Sequence, residues 1–188
     1  MKIIAGISIV CIHILYCQEV RFFKEDVTMS ITKEYFTVDG YYWFSNTTDS
    51  KIEKVILYPF GVTDKNERID SAGLFNMTEG INEQLLNKTN SGFYFVLTLN
   101  ANDTAVYRIS YRQRLQSDSV RYILRSTQQW KNPLVSAEYR LIVNNPITIT
   151  HYSIPPDTLY VVDDRKIYYW KRVEFMPEQD LVFRFRER

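Results

Sequence analysis

Short stretches in which apolar and polar residues alternate recur along most of the chain, and they constrain its fold more than any other feature. In the first of them, Val27, Met29 and Ile31 face one side of an extended segment, and the polar residues between them face the other. No segment shows a convincing helical repeat, and the 14 Tyr and 11 Phe against six Gly and six Pro favour strands. The pattern predicts an all-β domain, a sandwich or barrel of about ten short strands.

Turn signals separate the predicted strands. Asp39-Gly40 predicts a hairpin that leads into an aromatic strand, Asp163-Asp164 predicts a second hairpin, and Pro59 suits the end of the third strand. The polar stretch 61–92 is predicted to be loop, with one short strand or helical turn around 79–86. Further strands are predicted at 93–99, 105–115, 119–127, 137–145, 147–153, 158–162, 166–173 and 180–187.

The first 17 residues have the pattern of a signal peptide. One Lys precedes a largely apolar run from Ile3 to Tyr16, which is shorter than the about 20 residues of a membrane-spanning helix. Cleavage before Gln18 would leave a single domain, 18–188, that is exported to the periplasm, the cell envelope or the exterior. Two alternatives remain open: a short buried strand or helix, and a bacterial lipoprotein signal in which Cys17 carries the lipid.

Both cysteines, Cys11 and Cys17, lie in this leader. The domain is therefore predicted to have no internal disulfide, although small exported domains often depend on disulfides. Its hydrophobic core must supply the stability.

One stretch resembles the immunoglobulin fold. "DTAVYRIS", Asp103 to Ser110, is similar to the segment that leads into the second cysteine of an antibody variable domain, with Ile109 in the position of that cysteine. The resemblance implies that Tyr107 forms a tyrosine corner, that Ile109 fills the volume of the disulfide and that Trp43 is the buried tryptophan. About 60 residues follow Thr127, so we expect an extended immunoglobulin-like β-sandwich without a disulfide rather than an antibody-type domain.

A second resemblance is carried by "YRISYRQ" and by "YILRSTQQWKNPLVSAEYRLIV", Tyr122 to Val143. These segments are similar to exported bacterial β-sandwich proteins that are grouped as domains of unknown function. The resemblance implies an exported bacterial sandwich and no particular activity.

The chain contains few residues that could form a catalytic site. The only histidine after the leader is His151, within a predicted strand, and the sequence contains neither a G-x-S-x-G elbow nor a glycine-rich phosphate loop. A zinc site lacks ligands, and Asp163-Asp164 reads as an ordinary turn. We therefore expect no cofactor, no metal and no enzyme, with a carboxylate-dependent enzyme acting on an extracellular polymer as the alternative.

The formal net charge of +1 argues against a nucleic-acid partner, and a membrane is expected only if Cys17 carries lipid. The basic residues are nevertheless clustered. Alternation places three arginines on one face of a strand and two more on one face of the strand that returns, and an even loop between them would align all five: Arg108, Arg112, Arg114, Arg121 and Arg125. An odd loop or a bulge would split them.

Two interpretations of this arginine face stay open. Glu138, Glu174 or Asp163-Asp164 would neutralise it within the protein, or it would dock an acidic protein partner or an anionic glycan, with Trp130 available for stacking. The sequence thus predicts an exported, non-enzymatic binding or structural module. A third possibility is an accessory subunit that donates or accepts an edge strand.

Four sequons begin at Asn46, Asn76, Asn87 and Asn102, all at predicted turns. They are glycan acceptors only in a eukaryotic secretory pathway, and turn-forming Asn and Thr produce such triplets by chance.

Overall fold

The computed structural model describes residues 19–62, 64 and 66–187. The predicted signal peptide, with Cys11 and Cys17, lies outside the described residues. Within them the chain forms thirteen strands and one 3₁₀ helix, which confirms the all-β prediction and replaces the expected ten strands by thirteen. The strands are β1 (Val20–Ile31), β2 (Tyr35–Asn46), β3 (Ile52–Pro59), β4 (Arg68–Asn76), β5 (Ile81–Asn82), β6 (Gly92–Leu99), β7 (Thr104–Arg114), β8 (Ser119–Tyr122), β9 (Leu134–Asn144), β10 (Ile147–Tyr152), β11 (Thr158–Val162), β12 (Arg165–Phe175) and β13 (Leu181–Glu187), and the 3₁₀ helix is Arg125–Trp130.

The strands form two layers. One is an eight-stranded sheet in the order β11-β12-β9-β1-β2-β7-β4-β5, in which β1 and β9 are parallel. The other consists of the three-stranded sheet β10-β13-β8 and the two-stranded sheet β3-β6. Aromatic contacts join the layers: the ring centroids of Phe95 and Tyr107 lie 5.6 Å apart, and those of Trp170 and Phe183 lie 5.7 Å apart.

The core between the layers follows from the alternation of the sequence. Val27, Met29 and Ile31 are fully buried on β1, as their spacing predicts. The expectation that Trp43 is the buried tryptophan is wrong, because Tyr42 and Phe44 take the inward positions of β2 and leave Trp43 half-exposed on the outer face.

The predicted hairpin at Asp39-Gly40 is also wrong, since both residues lie inside β2. A glycine serves there because the ring of Tyr42 occupies the space that a Cβ at Gly40 would need. The turn at Asp163-Asp164 is confirmed: both residues have positive φ, 49° and 63°, and they join β11 to β12.

The stretch predicted as loop contains β4, which pairs along β7. Only Ile69, Leu74 and Asn76 of its nine residues are buried, and the register shifts between Ile69 and Ser71. This irregularity hides the period-2 signal that identified the other strands. The short strand expected near residue 81 is present as β5.

Tyr107, which the resemblance places in a tyrosine corner, bonds to the backbone of β6, and the corner itself stays a prediction. Its buried hydroxyl accepts a bond from the Thr98 N–H (3.2 Å) and lies 3.3 Å from the Thr98 carbonyl, at the end of β6. Ile109 is buried in the core beside it. The immunoglobulin-like character of the layers stays a prediction.

Candidate binding cleft

A cleft of about 660 Å³ opens in the interrupted second layer. One wall is β3, which in the described chain pairs only with β6, and the other is formed by the end of β8 and the 3₁₀ helix. The floor comes from β1 and β2 of the large sheet, and includes Phe22, Glu25, Tyr42 and Phe44. This volume is in the range of ligand-binding pockets in proteins.

Local sequence explains why the layer does not close. Gly61, just after β3, packs so closely on the carbonyl of Arg121 that a Cβ would overlap it, and β3 and β8 are therefore held together at that end. Beyond Tyr122 the chain leaves the strand and forms the 3₁₀ helix, and its Trp130 packs on Phe44 with a centroid distance of 5.5 Å. The gap between these segments is the cleft.

Glu25 lies at the base of the cleft and is only 3% exposed. Its inward position continues the alternation of Val27 and Met29, and a bulge between Phe22 and Lys24 turns Phe22 inward as well. Tyr139 donates a short hydrogen bond to Oε1 of Glu25, and Tyr122 donates one to Oε2 at 3.2 Å. Burial raises the pKa of Glu25 from 4.5 to about 7, although these two hydrogen bonds act in the opposite direction.

A chain of tyrosine hydroxyls extends from this carboxyl group to β3. The hydroxyls of Tyr122 and Tyr42 lie 3.0 Å apart, and those of Tyr42 and Tyr58 lie 2.7 Å apart. Burial raises the pKa of each of these tyrosines well above its ordinary value, so all three hydroxyls stay protonated. The floor therefore offers neutral donors and acceptors and, at acidic pH, a largely protonated carboxylic acid.

Basic groups surround this floor. Lys54 lies 5.7 Å from the Trp130 ring, and Arg125 faces Asp180 at 3.7 Å. Arg121 donates from Nη2 to the Val62 carbonyl at 3.2 Å, whereas its buried Nε has no hydrogen-bond partner among the described residues. A buried donor without a partner is costly, so this guanidinium lowers the stability of the wall that it belongs to.

The predicted arginine face is not formed. Arg108, Arg112 and Arg114 share the outer face of β7, as alternation predicts, but β7 pairs with β2 and β4 rather than with β8. Arg121 lies on β8 in the other layer and Arg125 in the 3₁₀ helix, so the five arginines are split.

The arginines on β7 have carboxylate partners other than the predicted ones. Asp39 accepts two hydrogen bonds from Arg108, at 2.8 and 2.6 Å, and Asp70 pairs with Arg114 at 3.3 Å. Arg112 instead stacks on Tyr35, 4.6 Å from the ring centroid.

The expected acidic partners lie elsewhere. Glu138 pairs with Arg140 and Lys171, and Asp163 pairs with Arg165.

Sequence reasoning identified Trp130, Arg121 and Arg125 as binding residues, and all three line the cleft. It missed Glu25 and the tyrosine chain. Extending the alternation of β1 back from Val27 would have placed a carboxylate on the buried face, which is the signal that could have found it.

His151 is exposed. Within the described residues, no three His, Cys, Asp or Glu side chains are grouped to hold a metal ion, and no helix has the length and hydropathy to cross a membrane.

No protein-family model matches the sequence, and no curated protein matches it significantly. Among solved structures, the fold is similar to that of a Legionella pneumophila protein provisionally named as a nutrient-binding protein, with a TM-score of 0.73 and 12% identity, over 89% of this chain and 67% of that one. It is also similar to an M1 zinc metallopeptidase from Deinococcus radiodurans bound to a Tyr-Ser-Ala substrate, with a TM-score of 0.54 and 13% identity, over 88% of this chain and 42% of that one. The chain thus spans about two fifths of the metallopeptidase, and at these identities the likeness shows the fold alone.

Proposed function

We propose that the protein is an exported, non-enzymatic binding module that holds an anionic partner in the cleft. The observation that carries this proposal is the meeting of Lys54, Arg121 and Arg125 around an aromatic cleft. Arginine and lysine bind carboxylate, sulfate and phosphate groups, and Trp130 supplies a ring for stacking. We propose the cleft in place of the outer face of β7, where Arg108 and Arg114 are already paired with carboxylates.

The fold shared with the provisionally named nutrient-binding protein supports a ligand-binding role. Export belongs to the same proposal and rests on the leader-like residues 1–17, with lipid attachment at Cys17 as the membrane-bound alternative. Membership of the exported bacterial sandwich proteins of unknown function is proposed on the Tyr122–Val143 resemblance.

An enzyme is the second candidate, and Glu25 favours it. A buried carboxyl group with a pKa of about 7 that lies in a cleft is typical of general acids and bases. Two tyrosine hydroxyls bind this group, which also fits a purely structural role. Hydrolysis of an extracellular polysaccharide or peptide that is lost in Glu25→Gln, with the fold retained, would establish the enzyme.

Calorimetric titration with poly-L-glutamate and with sulfated heparin oligosaccharides tests the binding proposal. Lys54→Gln and Arg125→Gln each remove one exposed cleft cation, and each should weaken binding about fivefold, or about 1 kcal/mol, with a steep dependence on salt. Arg112→Gln removes one cation from the outer face and serves as the matched control. Loss of binding only in the control, or no binding of either probe, would overturn the proposal.

A further inference from the structure

We propose that the partner enters the cleft as an extended acidic peptide that adds a strand to the free edge of β3. This inference rests on the proposed function, because it names the chemical class of the anionic partner. It follows from three features of the second layer: an unpaired strand edge, a gap between antiparallel segments and an exposed apolar strip beside that gap.

The unpaired edge of β3 faces the cleft. All eight residues of β3 pair with β6 on one side, and the far side of β6 is bridged by Leu86, whose N–H and carbonyl bond to Tyr94. Six consecutive residues of β3, 54–59, line the cleft. Every second backbone N–H and carbonyl along this edge points away from β6. Within the described chain, no strand forms hydrogen bonds with these groups.

The opposite wall runs antiparallel to β3. Gly61 meets Arg121 at one end, and Lys54 meets Trp130 at the other, so the two segments run past each other in opposite directions. The second layer therefore has the order β6-β3, gap, β8-β13-β10, and a guest strand would pair with β3 where the gap is open, on the side of Lys54 and Trp130. Strand addition of this kind draws its affinity from backbone hydrogen bonds and its specificity from alternate side chains.

An exposed apolar strip lies on the outer face beside the gap. Val55 and Leu57 of β3 are 60% and 47% exposed, and they lie opposite Val96 and Tyr94 of β6. A guest strand would cover the edge of this strip with its own outward apolar side chains. Its inward side chains would enter the cleft, where Lys54 and Arg125 select carboxylates. The guest is thus an extended segment in which apolar and acidic residues alternate.

The peptide acetyl-SVEVDVS-amide is the probe, added to the full chain, with acetyl-SVKVKVS-amide as the cationic control. We expect the acidic peptide to bind and to slow amide hydrogen exchange at least tenfold at every second residue within 54–58, leaving the amides bonded to β6 unchanged. Alternate N–H groups of the guest strand point to opposite edges. N-methylation of the set that faces β3 should abolish binding, and N-methylation of the other set should leave it intact. Leu57→Asp, at an exposed site, should weaken binding at least tenfold, and Val173→Asp, on an exposed site of β12, is the matched control.

The outcomes separate this inference from the proposed function. If the acidic peptide binds without protecting β3, or if heparin and polyglutamate bind but the peptide does not, the strand inference fails and the binding module stands. If none of these probes binds, both fail. A concentration-dependent dimer with the same protection of β3 in the absence of peptide would show that the guest is a second copy and would overturn the inference.

Discussion

The hydroxyl of Tyr122 on β8 lies 3.2 Å from Oε2 of Glu25 on β1, and this contact joins residues 97 positions apart in the chain. It is a polar bridge between the two layers in a core that is otherwise mostly apolar and aromatic. Tyr139 binds the other carboxylate oxygen, and Tyr42 continues the chain of hydroxyls toward β3. The base of the cleft and the interior of the fold are therefore one network, and changes in Glu25 should affect both.

The stability of the protein should fall as the pH rises from about 4.5 to about 7. The pKa of Glu25 is raised from 4.5 to about 7 in the folded protein, so the folded state binds more protons than the unfolded state within this window. The contribution of Glu25 to the stability, about 3 kcal/mol, is fully present below pH 4.5 and is lost once the pH exceeds 7. Urea denaturation at pH 4.5 and pH 8 measures the difference.

Glu25→Gln is the control for this pH effect, because the amide keeps an oxygen for Tyr139 and cannot ionise. Its free energy of unfolding should show a correspondingly smaller decrease across the same window. An equal pH dependence in both proteins would show that other groups cause it.

Tyr122→Phe should lower the free energy of unfolding by about 1–3 kcal/mol, since it leaves a buried carboxyl oxygen and the Tyr42 hydroxyl each with one partner fewer. Tyr94→Phe removes a hydroxyl from an exposed side chain on β6 and should change stability by less than about 0.5 kcal/mol. Chemical denaturation at constant pH compares the two variants. Equal effects would mean that the Tyr122 hydroxyl does not stabilise the core.

The four sequons divide into two kinds. Asn46 is buried and its amide nitrogen donates to the carbonyls of Ser50 and Asn100, and Asn76 is buried with its amide nitrogen 3.3 Å from the Tyr107 hydroxyl. The side-chain oxygens of both accept backbone N–H bonds from the turns that follow β2 and β4. These two triplets are turn structures that end strands.

Secretion from a eukaryotic host should therefore give folded protein with glycans only at Asn87 and Asn102, which are exposed. Peptide mass spectrometry of the secreted, monomeric fraction reads out each site. Folded protein with a glycan on Asn46 or Asn76 would contradict the hydrogen bonds assigned to those side chains.

Sequence alone predicted the strands whose two faces differ sharply. The second half of β1 and most of β7 alternate apolar and polar side chains, so the period-2 pattern identifies them, whereas β4 buries only three residues and was missed. Pairing across long distances leaves no local signal, and this is why β7 was expected to pair with β8 rather than with β2 and β4. The cleft depends on such pairing: Glu25, Tyr122 and Tyr139 meet only because β1, β8 and β9 meet.

The outer edge of β11 should make the protein prone to self-association. β11 ends the eight-stranded sheet, and four of its residues, Leu159, Tyr160, Val161 and Val162, are 40–64% exposed with no charged residue among them. Natural sheets usually protect such edges with a charge, a proline or a bulge. Val161→Lys places a charge on the most exposed of these positions and should raise the concentration at which the protein associates, measured by sedimentation velocity. Val55→Lys is the matched control on β3, since it adds the same charge at a comparably exposed valine. Relief of association by the control but not by Val161→Lys would show that the proteins associate through the β3 edge instead.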